Sequence, residues 1–174
     1  MIRGEHIILR TATAEDTAFI LEVENTPEAG KDGDNDVPYT REAIEEFVLK
    51  SYHDIYTEKQ IRLIIELTSG KPGERTGIID LFDFSARNRR AAIGIWIMES
   101  QRKQGYATEA ITLLLDYCFE VLGLHQVYCT IDEDNDVSLQ LFKKCGFVIT
   151  GTRQSWIARG ELWKNELTLQ LIKD

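Results

Sequence analysis

Residues 96–110 read Trp-Ile-Met-Glu-Ser-Gln-Arg-Lys-Gln-Gly-Tyr-Ala-Thr-Glu-Ala. The apolar start is strand-like and the end opens a helix, so Arg102 to Thr108 occupy a strand-to-helix junction. Gly105 and Ala107, two places apart, carry almost no side chain and let the backbone come close to a bulky anion. The unpaired N–H groups and positive end of the following helix would point at that anion. Such a junction suits a phosphate, cradled by Arg102, Lys103, Gln104, Gly105, Tyr106, Ala107 and Thr108. Taken alone, the same residues also read as an ordinary helix entry.

A second set of residues could handle an amine. Asp80 and Asp83 are three apart on or at the end of a strand, so alternation should turn them to different faces. Either could serve as base or amine anchor, or both could be solvated strand-end carboxylates. Ala92, Gly94, Trp96 and Met98 share one strand face, small-walled with a single large aromatic. Trp96 could pack against an alkyl amine or cation, or belong to the core.

Downstream lies Asn135-Asp-Val-Ser138-Leu-Gln-Leu-Phe142-Lys-Lys144-Cys-Gly146-Phe147. Together, the two segments resemble the signatures of the GNAT superfamily of N-acetyltransferases. Arg102-Lys-Gln-Gly105-Tyr-Ala107 fits its acetyl-CoA motif. The later segment is similar to its second motif, an Asn three residues before a small residue, closing on Lys-x-Gly-Phe. The resemblance is greatest to the branch with spermidine and diamine acetyltransferases and ribosomal-protein N-terminal acetyltransferases. Gly77-Ile-Ile-Asp80-Leu-Phe-Asp83-Phe followed by Asn88-Arg-Arg-Ala91 looks like the polyamine members.

That resemblance implies an acyltransferase using acetyl-CoA, without a metal, which moves an acetyl group to a primary amine by direct attack in a ternary complex. The acceptor is expected to be a polyamine, diamine or similar small amine; a protein N-terminus is the alternative. It also implies that the pyrophosphate sits on Arg102 to Thr108, and that pantetheine lies between the strand ending at Met98 and the strand Gln126 to Ile131, with a backbone N–H near Ile97 or Met98 polarising the thioester carbonyl. Asn135, Ser138, Phe142 and Lys144 complete the expected cofactor set, and Asn135, Asp80 and Asp83 the catalytic one. Glu24, Glu28, Asp80 and Trp96 are the candidate acceptor contacts. Two departures stand out. In this branch the position of Ala92 is often a glutamate facing the amine, and that of Phe142 a tyrosine able to protonate the thiolate. Their absence either lowers the rate or moves the two roles elsewhere, and it motivates a second reading, a non-catalytic acyl-CoA-binding module.

The elements that must position these groups follow from periodicity. A strand at Ile7–Arg10 precedes a helix from about Ala14 to Asn25, a Gly/Pro/Asp-rich loop to Tyr39, and a helix capped by Thr40 that runs to about His53. Runs at Ile61–Leu67, Thr76–Phe84 and Ala91–Met98 read as three consecutive antiparallel strands. The strongest helix, Tyr106–Leu122, stops at Gly123. A strand at Gln126–Ile131, a short helix from about Asp136 to Lys144, and a hairpin of Phe147–Trp156 and Trp163–Ile172 across Ala158–Gly160 complete the chain. The expected fold class is α/β (α+β): a GNAT-like mixed, mostly antiparallel central sheet of about seven strands flanked by about four helices, as one domain over residues 1–174.

Composition excludes other classes. Twenty basic against 29 acidic side chains give a net charge of -9, which argues against a nucleic-acid partner. No apolar run approaches the roughly 18 residues of a membrane span, and a cytoplasmic location is expected, with a homodimer left open. Cys118, Cys129 and Cys145 have neither disulfide nor zinc spacing. Asp32–Asp36 and Asp132–Asp136 imitate calcium loops but lack the glycine and the closing glutamate. Gly70-Lys-Pro-Gly73 lacks the lysine of a nucleotide loop and reads as a hairpin turn. His6, His53 and His125 are isolated, which suits structural roles.

Overall fold

The computed structural model describes residues 1–26, 37–50, 54–69 and 73–173. The β-branched runs become strands and the 3.6-residue patterns helices. The order is β1 (Ile2–Arg3), β2 (Ile7–Thr11), α1 (Thr17–Glu24), α2 (Arg41–Lys50), α3 (Ile55–Glu58), β3 (Ile61–Leu67), β4 (Arg75–Ser85), β5 (Arg90–Ile97), α4 (Tyr106–Asp116), β6 (Gln126–Asp132), α5 (Asp136–Lys144), β7 (Val148–Arg159) and β8 (Leu162–Ile172). A 3-10 turn at Ala14–Asp16 leads into α1, and α4 continues as a π-turn over Tyr117–Val121.

The sheet runs β1-β2-β3-β4-β5-β6-β8-β7. Only β5 and β6 pair in parallel; the other neighbours are antiparallel. The mixed, mostly antiparallel sheet expected from the sequence is therefore present, with eight strands among the described residues. The extra strand, β1, has two residues, and the extra helix, α3, has four. Neither is long enough to show a period. Instead, α3 rests on its caps: Asp54 accepts from the N–H groups of Tyr56 at 2.8 Å and Thr57 at 3.1 Å, and Lys59 closes it at φ 60°. The final hairpin is tighter than expected, since β7 continues to Arg159 and the chain reverses over Gly160 and Glu161, with Gly160 at φ 64°.

Alternation along the strands builds two layers. On one face Ile79, Leu81, Ile93, Val127 and Cys129 pack under Ile111 and Leu114 of α4 and Phe142 of α5. On the other, Ile64 and Ile78 pack under Ile20 and Val23 of α1 and Ile44 and Val48 of α2. All three cysteines are free thiols, and burial pushes those of Cys118 and Cys129 up to about 12.

Candidate active site where two strands part

β5 and β6 pair only over Arg90–Ala92 and Gln126–Tyr128. Beyond Ala92 and Tyr128 they part, and the backbone of β5 on that side faces a gap. Which of its groups do so follows from its register with β4. Met98 N–H donates to the carbonyl of Thr76 at 2.9 Å, and hydrogen-bonded pairs alternate in an antiparallel ladder. The N–H groups of Ala92, Gly94, Trp96 and Met98 therefore point to β4, and those of Ile95 and Ile97, beyond the last pair with β6, to the gap. This corrects the expectation for Met98, whose N–H is engaged within the sheet. The Ile97 carbonyl accepts the Nε–H of Arg102 at 3.0 Å, which ties the junction back to the end of β5.

At the open end stands the junction itself. Gly105 is the N-cap of α4, in the left-handed region at φ 89° and without a side-chain cap. A Cβ on Gly105 would meet nothing within 4 Å, so the glycine is required by backbone conformation and leaves open space before the helix. The first N–H groups of α4 have no intrahelical partner. Lys103, also left-handed at φ 64°, and Gln104 are exposed, whereas Tyr106 and Ala107 pack partly against the core. The Thr108 carbonyl accepts the Thr112 hydroxyl at 2.9 Å. An uncapped helix N-terminus with a clear approach fits a pyrophosphate. Glu109, in the same turn, anchors it to the start of β2 by accepting from His6 N–H at 2.9 Å.

The second motif forms α5. Asn135 is its N-cap, its Oδ1 accepting from Ser138 N–H at 3.2 Å, so one of its two polar atoms is engaged in capping. Phe142 is 4% exposed and meets Phe147 edge-on, with ring centroids 5.1 Å apart. Lys144 is exposed at the helix end.

The carboxylates divide sharply. Asp80 accepts from Arg62 Nε at 2.8 Å and from a terminal nitrogen of Arg62 at 2.7 Å, and the same guanidinium pairs with Glu24. Asp83 accepts from the Tyr128 hydroxyl at 2.5 Å. Contrary to the alternation expected from sequence, both carboxylates lie on the α1/α2 side of the sheet. The cause is a register shift in β4 between Phe82 and Ser85, where Asp83 takes φ 48° and turns toward β6. Trp96 is part-buried against the α1/α2 cluster, and its indole N–H has no hydrogen-bond partner among the described residues. Glu28, His53 and the Asp32–Asp36 segment fall outside the described residues. Asp132 and Asp134 of the other acidic segment pair with Arg159 and Lys164.

Arg62 and Tyr128 were not among the expected site residues. Arg62 interrupts an apolar strand run, and a lone cation in such a run signals a buried partner. Tyr128 sits in a strand whose neighbours face the core, at the position of opposite parity. Burial, then the hydrogen bond to Asp83 and its negative charge, push the Tyr128 hydroxyl up to about 12, so it stays a donor at neutral pH.

A mixed sheet opened between two parallel strands, with a glycine-started helix at the mouth, defines a group-transfer fold for a phosphate-bearing donor. Residues 6–148 match the acetyltransferase (GNAT) domain, and the chain belongs to that family; it is an acyltransferase whose donor is acetyl-CoA. The chain is 28% identical over 154 residues to the spermidine N(1)-acetyltransferase of Escherichia coli (strain K12), covering 87% of this chain and 77% of that protein. It is 27% identical to the ribosomal N-acetyltransferase-like protein YdaF of Bacillus subtilis (strain 168), over 97% of this chain and 90% of that one. The fold matches that of the Vibrio cholerae spermidine N-acetyltransferase crystallised with CoA and spermine at a TM-score of 0.83, with 23% identity and 95% of each chain covered. No helix among the described residues is long and apolar enough to cross a membrane.

Proposed function

We propose that this acetyltransferase acts on a primary amine, a polyamine, diamine or similar small amine, by direct attack in a ternary complex. The observation that carries the reading is the placement of Asp83: an exposed carboxylate on a turned-out backbone, at the point where β5 and β6 part. The relation to spermidine acetyltransferases supports a cationic acceptor.

The residues divide the work as follows. The backbone of Arg102 to Thr108 holds the pyrophosphate, with Gly105 allowing its approach. When bound, acetyl-CoA supplies the activated acetyl group as a thioester. Ile97 N–H, left facing the gap by the β4–β5 register, is placed to donate to a carbonyl oxygen lying there. Asn135 and Ser138 fix the start of α5, and Phe142 and Lys144 border the cofactor from that helix. As the amine forms its new bond to carbon it must lose a proton, and Asp83 is the carboxylate placed to take it or to hold a distal ammonium. Asp80 and Glu24 act through Arg62, shaping the wall beside Trp96.

An acetyl-CoA consumption screen against polyamines, amino acids, aminoglycosides and short peptides tests this. Turnover with a polyamine or diamine supports it. Turnover confined to peptides would favour the N-terminal reading that YdaF suggests. Binding of acetyl-CoA without turnover would favour the binding module suggested by Ala92 and Phe142.

A further inference from the structure

We propose that Phe82, Asp83 and Tyr128 form an acceptor subsite that takes an ammonium group at the end of an alkyl chain, with Tyr128 as the residue that positions Asp83. The inference rests on the acetyl-transfer reading above and names residues of that same site.

Register puts the three residues together. Phe82 pairs with Ala92 across β4 and β5, and Ala92 pairs with Tyr128 across β5 and β6. The three side chains therefore stand abreast on one face, with roughly 5 Å between neighbours. Only the Ala92 methyl separates the two aromatics. The next residue of β5 on this face is Gly94, and a Cβ there would lie 3.4 Å from Cε1 of Phe82. Two minimal residues in succession thus let an aromatic on each side define the surface. Phe82 remains 42% exposed, so part of its ring is open to an approaching alkyl chain.

Charge enters through Asp83. One of its oxygens accepts from Tyr128, and Asp83 forms no ion pair among the described residues. Asp80 and Glu24, on the same side of the sheet, both hold the one guanidinium of Arg62, so their oxygens are engaged although the trio keeps one negative charge. Arg153, which also acts on Tyr128 electrostatically, is paired with Glu166 at 2.8 Å and lies over Trp156. Arg90, two residues before Ala92 on β5, also acts on Tyr128 electrostatically, so a cation already stands on that side and an incoming ammonium is favoured on the Phe82 side of Asp83. A carboxylate at the tip of one ring, with a second ring across Ala92, matches one ammonium with its adjoining methylenes: the carboxylate meets the charge, and the rings meet the cation and the chain.

Tyr128 acts through Asp83. A non-glycine residue at φ 48° is held there at a cost of order 1 kcal/mol or more, and the hydrogen bond from β6 fixes where that strained residue aims its carboxylate. Tyr128→Phe removes the bond and keeps the ring.

The test combines kinetics with spermidine as probe and calorimetry of the full chain. Tyr128→Phe and Asp83→Asn should each raise the spermidine KM about tenfold while leaving the acetyl-CoA KM unchanged. The double variant should be no worse than Asp83→Asn alone, because the tyrosine has nothing left to position. Phe82→Ala should weaken long alkyl amines more than short ones. A Tyr128→Phe enzyme with wild-type KM for spermidine, or an additive double variant, overturns the subsite. If acetyl transfer occurs only to acceptors without an alkylammonium group, the subsite is wrong and the transfer reading stands. If no acceptor is acetylated, the transfer reading fails, and calorimetry decides the subsite alone: spermidine binding that Asp83→Asn abolishes supports it, and no spermidine binding overturns it.

Discussion

Arg62 holds both oxygens of Asp80, at 2.8 and 2.7 Å, while lying 4.9 Å over the Phe47 ring and pairing with Glu24. A bidentate, mostly buried pair of this kind fixes geometry and leaves neither oxygen of Asp80 clear of the guanidinium. Asp80→Asn should therefore act chiefly on stability, lowering it by roughly 1–3 kcal/mol in urea unfolding, and should change the acceptor KM much less than Asp83→Asn. The reverse order, with Asp80→Asn the more damaging to amine KM, would return Asp80 to the acceptor site.

The parts of the site legible from sequence are those made by local chemistry. Gly105 and Ala107 sit within one turn of each other, and their meaning needs only the strand before and the helix after. What sequence left unread depends on distant partners. Met98 loses its candidate N–H to Thr76, which is fixed by the parity of the β4–β5 ladder. Asp80 and Asp83 share a side because a bulge breaks the alternation between them. Arg62 finds Asp80 18 residues away and Tyr128 finds Asp83 45 residues away, separations no periodicity encodes. Among the elements, α3 and β1 escape because caps and pairing, with no repeating pattern, define them.

Gly105 separates conformational from steric demands. At φ 89° with nothing within 4 Å of a would-be Cβ, Gly105→Ala should fold and cost about 1–2 kcal/mol of stability for the left-handed backbone. Gly105→Asp adds a carboxylate where the pyrophosphate is proposed to sit, and should abolish acetyl-CoA binding in calorimetry. Unchanged affinity in folded Gly105→Asp would move the phosphate site elsewhere.

Phe142→Tyr tests the missing proton donor. If nothing replaces the hydroxyl, the change should raise kcat several-fold with little effect on KM, since a donor to the leaving thiolate acts in the transition state. Phe142 is 4% exposed, so a hydroxyl that found no partner would cost about 1–3 kcal/mol, visible as a lower Tm. A stable variant with faster turnover places the para position toward the thiolate; a destabilised one without gain places it in the core, with water or another group protonating the thiolate.

Asp16 makes acid stability a property of one buried carboxylate. It is fully buried, and accepts from Arg10 at 2.7 and 2.9 Å, from Arg75 Nε at 2.5 Å and from Thr13 N–H at 2.8 Å. Burial works against its charge, but these donors outweigh it and hold the carboxyl well below the usual range. A depressed folded-state pKa stabilises the fold fully above the unfolded value near 3.9 and loses that contribution as pH falls toward the folded one. Stability should thus be level near neutrality and decline below about pH 5. Asp16→Asn leaves Arg10 with Glu66 alone and Arg75 without its carboxylate, and should cost about 3 kcal/mol at pH 7. The gap between variant and wild type, followed by urea unfolding, should narrow as pH is lowered through 4. Parallel curves across that range would show that the ionised form of Asp16 is not what joins the start of α1 to β2 and β4.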